Sequence, residues 1–147
     1  MKPKPPACSG CEFEKRGQGY VPGIGPLNAQ VAFIGQGPGE REVYSGVPFH
    51  PDAPSGRVLT SWIESAGFPR ETVWLDNGSR CRIQTADGSD EAPLAAVTAC
   101  FKRNWGPRLH SLPYLKAVVA VGVPAGRFLF GPWASARAAG TFNTVEF

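Results

Sequence analysis

Long hydrophobic runs are missing from this sequence of 147 residues. No stretch approaches the roughly 18 consecutive apolar residues that a membrane-spanning helix needs. The first residues, MKPKPPACSGCEF, include lysines but no apolar core of the kind that secretory signals carry. We therefore expect a cytoplasmic protein that has no membrane partner.

Histidine is scarce, and two common nucleotide-binding motifs are absent. His50 and His110 are the only histidines, and neither forms a triad-like pattern with a serine or a cysteine. The stretch VAFIGQGPGE (31–40) lacks the third glycine of a dinucleotide fingerprint, because that position is Glu40. A Gly-Lys-Ser/Thr phosphate loop is also missing. What remains open is a tight turn without a ligand, or a loop whose backbone passes close to a flat ligand.

Glycine and proline, in contrast, are abundant, with 18 and 15 residues. Because 42% of the residues are hydrophobic and apolar runs recur, this composition indicates many tight loops rather than disorder. The length predicts a single domain that spans residues 1–147. The net charge of +3 is compatible with a polyanionic partner but does not identify one.

Apolar runs alternate with segments of helical periodicity, which predicts an α/β fold with a parallel sheet. The predicted strands are 30–35, 71–77, 116–122 and 141–147, and the predicted helices are 55–67, 90–105 and 124–131. Ser55 is the expected N-cap of the first helix. Ligands of such sheets bind beyond the carboxyl ends of the strands, where the glycine-rich loop and Asn77 both fall.

Four cysteines form one close pair and two distant single residues. Cys8 and Cys11 are separated by two residues, Cys81 follows a predicted strand, and Cys100 lies on a predicted helix. In a cytoplasmic protein such residues indicate metal or redox chemistry before disulfides. The spacing is compatible with a [4Fe–4S] cluster, with zinc or with four unrelated buried thiols.

Aromatic and basic residues near these motifs each have two interpretations. Phe49, in the segment GVPFHP (46–51), is either a platform on which a base stacks or part of the core. Basic residues next to two of the cysteines form either a rim that faces phosphates or an ordinary solvated surface. These basic residues are Arg80, Arg82, Lys102 and Arg103.

The order of these motifs is more specific than any one of them. A C-x2-C pair, VPGIGPLNAQVAFIGQGPGERE, GVPF, DNGSRC and a helical cysteine together resemble the family 4 uracil-DNA glycosylases. The resemblance covers nearly the whole sequence. It implies a three-layer α/β/α sandwich around a central, mostly parallel, four-stranded sheet. It also implies a structural [4Fe–4S] cluster on Cys8, Cys11, Cys81 and Cys100.

The resemblance further implies a monomeric, monofunctional DNA-repair enzyme of base excision repair. Such an enzyme hydrolyses the N-glycosidic bond of uracil in DNA and leaves an abasic site. Phe49 matches the aromatic residue that stacks on uracil, Asn77 matches the asparagine that reads its O4/N3 edge and excludes cytosine, and Glu42 matches an acid that polarises the attacking water. The loop that places backbone near the base and the water comprises Gly35, Gln36, Gly37, Pro38 and Gly39.

The sequence departs from the family pattern at two places. Gln36 replaces a glutamate, so it can orient a water or hold a uracil oxygen but cannot act as a general base. The family also continues into an HPS-type motif with a histidine that stabilises the departing uracil oxygen, whereas this sequence ends at Phe147. A natural short form, a truncated reading frame and a fragment are the three explanations.

Two further hypotheses for the function stay open, the first because of these departures and the second because of the cysteines. The chain is either a catalytically silent or weakened relative that binds DNA or a partner protein, or an iron–sulfur protein of electron transfer.

Overall fold

The computed structural model of the chain describes residues 1–131. Within them, three parallel strands form one sheet in the order β2-β1-β3, so that the first strand is central. The strands are β1 (Val31–Gly35), β2 (Trp74–Asn77) and β3 (Ala117–Ala120). Gly35 and Asn77 are directly paired in the register of β1 and β2, so both strands end at the same level.

The helices lie between and after these strands. They are α1 (Glu40–Ser45), α2 (Pro54–Ser65), α3 (Leu94–Cys100), α4 (Gly106–His110) and α5 (Val123–Phe130). Short 3-10 helices occupy Pro6–Cys8 and Arg70–Thr72. A π-helical turn, Phe101–Trp105, joins α3 to α4 without a break.

Alternate residues of the strands point to opposite faces of the sheet, and each face carries its own apolar cluster. Ala32 and Ile34 of β1 pack in a cluster with Trp105 of the π turn and Leu129 of α5. The second cluster contains Leu75 of β2 and the buried residues Leu59 and Ile63 of α2, with Val31 and Phe33 against it. Helices therefore cover both faces of the sheet.

The α/β character and the parallel sheet confirm the prediction. The predicted number of four strands is not reached within residues 1–131, where the sheet has three strands. The predicted strand 141–147 lies outside the described residues. Of the residues described, no helix is long and apolar enough to cross a membrane.

Two helix boundaries differ from the prediction because of prolines. α2 begins at Pro54 with Ala53 as its N-cap, so Ser55 lies within the first turn. Proline suits the first turn because its ring fixes a helical φ and no donor is lost there. The next helix begins only after Pro93, and the π turn carries it past the predicted end to His110.

Candidate functional site

The loops that follow β1 and β2 run side by side at the carboxyl end of the sheet. The amide of Gly78 donates to the carbonyl of Gly35 at 2.7 Å, and the amide of Ser79 donates to the carbonyl of Gln36 at 2.9 Å. From the helical layer, the indole of Trp105 donates to the carbonyl of Gly78 at 2.8 Å. The parallel register thus extends beyond the strands and fixes the position of both loops.

Two side chains approach the backbone of Gly35 so closely that a residue with a side chain does not fit at this position. A Cβ atom at this position would lie 2.5 Å from Asn77 Oδ1 and 2.6 Å from Phe49 Cζ. Both contacts are closer than real Cβ atoms show, so any larger residue would displace the amide or the ring. The structure therefore brings Gly35, Phe49 and Asn77 together.

Glu42 connects the glycine-rich loop to both of these side chains. It lies in the first turn of α1, and only 6% of its surface is exposed. Its Oε2 accepts the amide N–H of Gly39 at 2.7 Å, as a residue in the first turn of a helix often does for the cap. Its Oε1 accepts the amide N–H of Phe49 and the Nδ2–H of Asn77, the latter at 3.2 Å.

Phe49 is buried and has a left-handed backbone with φ of 50°. Arg70 holds this turn from the other side, because its guanidinium donates to the carbonyls of Pro48 at 3.2 Å and Phe49 at 2.6 Å. It also donates to Thr60 Oγ1 at 2.8 Å. Burial lowers the pKa of Arg70, and the charge of Glu42 opposes that effect. Arg70 is not among the predicted site residues, because no motif around it indicates this role.

In the middle of the glycine-rich loop, Gln36 and Gly37 contact Ala92. Gln36 Nε2 donates to the carbonyl of Ala92 at 3.4 Å, and a Cβ at Gly37 would contact the Cβ of Ala92 at 3.2 Å. Pro38 is fully buried. The structure thus places Gln36 and Gly37 against Ala92, in the segment before α3, whereas Gly39 returns to Glu42.

Asp76 and Arg80 form a buried ion pair directly behind Asn77. Asp76 Oδ1 accepts the amide N–H of Asn77 at 2.9 Å and Arg80 Nε–H at 3.0 Å, and its Oδ2 accepts Trp74 Nε1–H at 3.3 Å. Burial acts to lower the pKa of Arg80, but the hydrogen bonds and charge of Asp76 outweigh it and raise the pKa above its ordinary value. The buried pair fixes the backbone that carries Asn77.

Neither interpretation of the basic residues, a rim that faces phosphates or a solvated surface, describes Arg80, because its guanidinium points into the protein, where Nη1 donates to the hydroxyl of Tyr20 at 3.0 Å. Arg82 pairs with Asp90 at 2.7 Å. Arg103 donates to the carbonyls of Ala7 and Ser9, each at 3.2 Å. Three of the four basic side chains beside the cysteines therefore make contacts within the protein, whereas Lys102 is exposed.

All four cysteines are free and line one small cavity of about 20 Å³. Several groups donate to the sulfur atoms: the amide of Arg80 to Cys100 at 3.3 Å, and Asn104 Nδ2 to Cys100 at 3.6 Å and to Cys8 at 3.7 Å. Burial raises the pKa of the Cys81 thiol and raises that of Cys100 to about 12. Across residues 1–131, no three metal-ligating side chains close on the position of a single ion.

The N-terminal segment that carries two of these cysteines is fastened to the rest of the protein. Lys4 Nζ donates to the carbonyls of Glu14 and Gly17, the latter at 2.5 Å. Phe13 is buried against Ile83 and Ala96. A Cβ at Gly17 would clash with the sulfur of Cys81, so this glycine allows the segment to pass directly beside the third cysteine.

Comparison with known proteins adds independent evidence. The family model of the uracil DNA glycosylase superfamily matches residues 22–145. A type-4 uracil-DNA glycosylase of Saccharolobus solfataricus is 41% identical over 97 residues, which are 65% of this chain and 44% of that protein. The same-named protein of Archaeoglobus fulgidus is 38% identical over 76 residues, 52% of this chain and 37% of its own.

A third relative, the type-4 uracil-DNA glycosylase of Sulfurisphaera tokodaii, is 28% identical over 125 residues. These residues are 84% of this chain and 54% of that protein. The chain thus spans about half, or less, of the length of the curated relatives it matches.

Proposed function

Because the chain belongs to the uracil-DNA glycosylase superfamily, we propose that it hydrolyses the N-glycosidic bond of uracil in DNA and leaves an abasic site. The type-4 relatives confirm the resemblance found in the sequence. The observation that carries the proposal is the convergence of Gly35, Phe49 and Asn77 where β1 and β2 end. An aromatic ring, an amide and the backbone of the glycine-rich loop meet there.

Recognition of the base follows from these three residues. A uracil inside a duplex is out of reach, so the nucleotide must turn out of the stack to enter the site. The Phe49 ring then stacks on the base, a contact worth about 1–3 kcal/mol. The Asn77 amide pairs with N3–H and O4 of uracil. Gly35, which has no side chain, allows the Phe49 ring and the Asn77 amide to lie against its backbone.

Hydrolysis breaks the C1′–N1 bond, and a water oxygen forms the new bond to C1′. The bonding electrons leave with the base as a uracil anion, which then takes up a proton, while the water loses one. We assign the stabilisation of this anion to polar groups of the loop 35–39, since donors aimed at developing charge commonly contribute most to such catalysis. Gln36 cannot remove a proton, because its side chain is an amide. For it to orient the water or hold a uracil oxygen, its amide must first turn from the carbonyl of Ala92.

Glu42 has limited capacity for the water-polarising role implied by the resemblance. An ionised carboxylate offers about four acceptor sites. Three are used by the amides of Gly39 and Phe49 and by Asn77 Nδ2. We therefore propose that Glu42 polarises at most one water and mainly organises the site.

A [4Fe–4S] cluster is the group that we propose for Cys8, Cys11, Cys81 and Cys100. The fit rests on four free thiols around one cavity and on N–H donors directed at sulfur. A single zinc would need three or four ligands around one point, and residues 1–131 show no such group. When bound, the cluster would supply iron–sulfur bonds that join the N-terminal segment to the loop after β2 and to α3.

The partner that we propose is uracil-containing DNA, bound by a single domain acting as a monomer in the cytoplasm. The net charge of +3 supports a polyanionic partner. Of the basic residues beside the cysteines, Arg80, Arg82 and Arg103 are engaged within the protein, and Lys102 is exposed. We therefore expect DNA contacts to come from other residues.

A silent relative that binds DNA is the second candidate, and the position of Gln36 favours it. The residue lacks a carboxylate, and its amide is turned toward the carbonyl of Ala92. In this version the pocket accepts the base without breaking the glycosidic bond.

The test uses anaerobically purified, iron-loaded protein and a labelled oligonucleotide with one uracil, followed by alkali to cut abasic sites. We expect cleavage by the wild type and a loss of about 100-fold or more in Asn77→Ala, because the site loses its reading group. Asn28→Ala, at an exposed asparagine, is the matched control and should cleave normally. Cleavage by Asn77→Ala at the wild-type rate would show that the pocket is misassigned, whereas no cleavage by loaded wild type would favour the second candidate.

A further inference from the structure

We propose that Glu42 is a specificity-determining positioning residue that locks the Asn77 amide in the orientation that accepts uracil and rejects cytosine. This inference rests on the proposed function and deepens it. It starts from the hydrogen bond of 3.2 Å between Asn77 Nδ2 and Glu42 Oε1.

The orientation of an asparagine amide is ambiguous wherever its partners can both donate and accept. Here the partner decides it, because an ionised carboxylate only accepts hydrogen bonds. A reversed Asn77 would place Oδ1 against Glu42 Oε1, two acceptors without a proton between them. Both residues are buried, with 6% of Glu42 and 2% of Asn77 exposed, so water does not relieve this conflict.

Further hydrogen bonds hold both the carboxylate of Glu42 and the backbone of Asn77 in place. Glu42 is held by the amides of Gly39 and Phe49 as well as by Asn77. The backbone of Asn77 is held by Asp76 Oδ1, which is itself paired with Arg80. The amide therefore has a fixed position and a fixed direction.

The locked amide presents an acceptor next to a donor. Asn77 Oδ1 lies beside Gly35, whereas Nδ2 faces Glu42. Nδ2 carries a second N–H besides the one that it directs at Glu42. Uracil offers N3–H and O4 to this pair, whereas cytosine offers an N3 acceptor and an N4 donor. Cytosine would need the reversed amide, and one such paired contact discriminates by a factor of roughly 10 to 100.

Glu42→Gln tests the lock, because glutamine offers both a donor and an acceptor and can face either orientation of Asn77. The probes are free uracil and free cytosine, measured as competitive ligands, and oligonucleotides with uracil or cytosine at one position. We expect the preference for uracil over cytosine to fall about 10-fold or more. Glu40→Gln makes the same chemical change at an exposed position of α1 and should leave the preference unaltered.

A purely structural role of Glu42 would weaken the binding of both bases alike, and an unchanged preference in folded Glu42→Gln would overturn the inference. Neutron diffraction from crystals of the wild type gives a test that does not depend on the folding of a variant. It should show a deuteron of Nδ2 facing Glu42 Oε1, and an amide with mixed or reversed orientation would overturn the inference. A loaded wild type that neither binds nor excises uracil would instead remove the proposed function itself.

Discussion

At the scale of single residues, Phe49 combines an aromatic ring with a backbone conformation that side chains rarely adopt. A left-handed φ at a residue other than glycine costs on the order of 1–3 kcal/mol. Charged side chains engage both polar groups of this residue, with Glu42 accepting its N–H and Arg70 donating to its carbonyl. Hydrogen bonds with Glu42 and Arg70, rather than the intrinsic backbone preference of Phe49, therefore stabilise the turn that orients the ring.

Replacing Arg70 by methionine should loosen this turn while keeping most of the apolar stem. We expect the free energy of unfolding to fall by about 1–3 kcal/mol, because buried carbonyls lose charged donors. Urea denaturation measures the effect, and KM for a uracil oligonucleotide should rise in parallel. Arg57→Met, at an exposed arginine of α2, is the control. Equal unfolding midpoints in the two variants would contradict this account of Arg70.

At the scale of secondary-structure elements, β2 and the loop after it serve two sites at once. Asn77 lies in the pocket and Cys81 in the thiol-lined cavity, and the Asp76–Arg80 pair lies between them. From Arg80 the hydrogen bonds continue through the hydroxyl of Tyr20 to Asn104, which faces two of the sulfur atoms. A change in the structure of the pocket should therefore also alter the thiol-lined cavity, and the reverse.

Breaking the buried pair tests this connection. Arg80→Met leaves Asp76 buried without its partner, which typically costs about 3–5 kcal/mol. The double variant Asp76→Leu/Arg80→Met should recover part of that loss, because no buried charge remains. Arg82→Met, which breaks the more exposed pair with Asp90, should cost about 1 kcal/mol or less. Chemical denaturation compares the three, and equal losses in Arg80→Met and Arg82→Met would argue against a buried pair of structural importance.

The elements themselves were largely predictable, and the contacts between them were not. The ranges 30–35 and 71–77 contain the apolar stretches VAFI and VWL, which indicate buried strands, and parallel topology then places Asn77 near the glycine-rich loop. The bonds of Glu42 to Asn77 and of Arg70 to Phe49 depend on tertiary packing, which leaves no local pattern. Arg80 was misjudged because a basic residue looks the same in sequence whether it faces solvent or a buried aspartate.

At the scale of the whole molecule, the proposed cluster would close most of the described chain into a loop. Its first ligand is Cys8 and its last is Cys100. The cross-link would lower the conformational entropy of the unfolded chain, which stabilises the fold by about 4–5 kcal/mol if the effect is purely entropic. The segment before Tyr20 depends on this link and on contacts such as those of Lys4 and Arg103.

Removal of iron should therefore release the N-terminal segment first. We expect trypsin to cut at the exposed Lys15 and Arg16 several times faster in chelator-treated protein than in loaded protein, with the remainder of the chain cut later. Mass spectrometry of the digest identifies the order of cleavage. Reloaded protein serves as the control and should regain its resistance. Equal cleavage rates with and without iron would show that the segment does not depend on the cluster.

The central position of β1 in the sheet has a consequence for synthesis on the ribosome. β1 is the first strand to be made, yet its neighbours on both sides come later in the chain. At about 5–20 residues per second, β2 is complete roughly 2–8 s after β1, and β3 roughly 4–17 s after it. During this interval both edges of an apolar strand are open to pairing with other nascent chains. The yield of soluble protein in a cell should therefore depend on translation speed and chaperone supply between residues 36 and 120 more than on the stability of the finished fold.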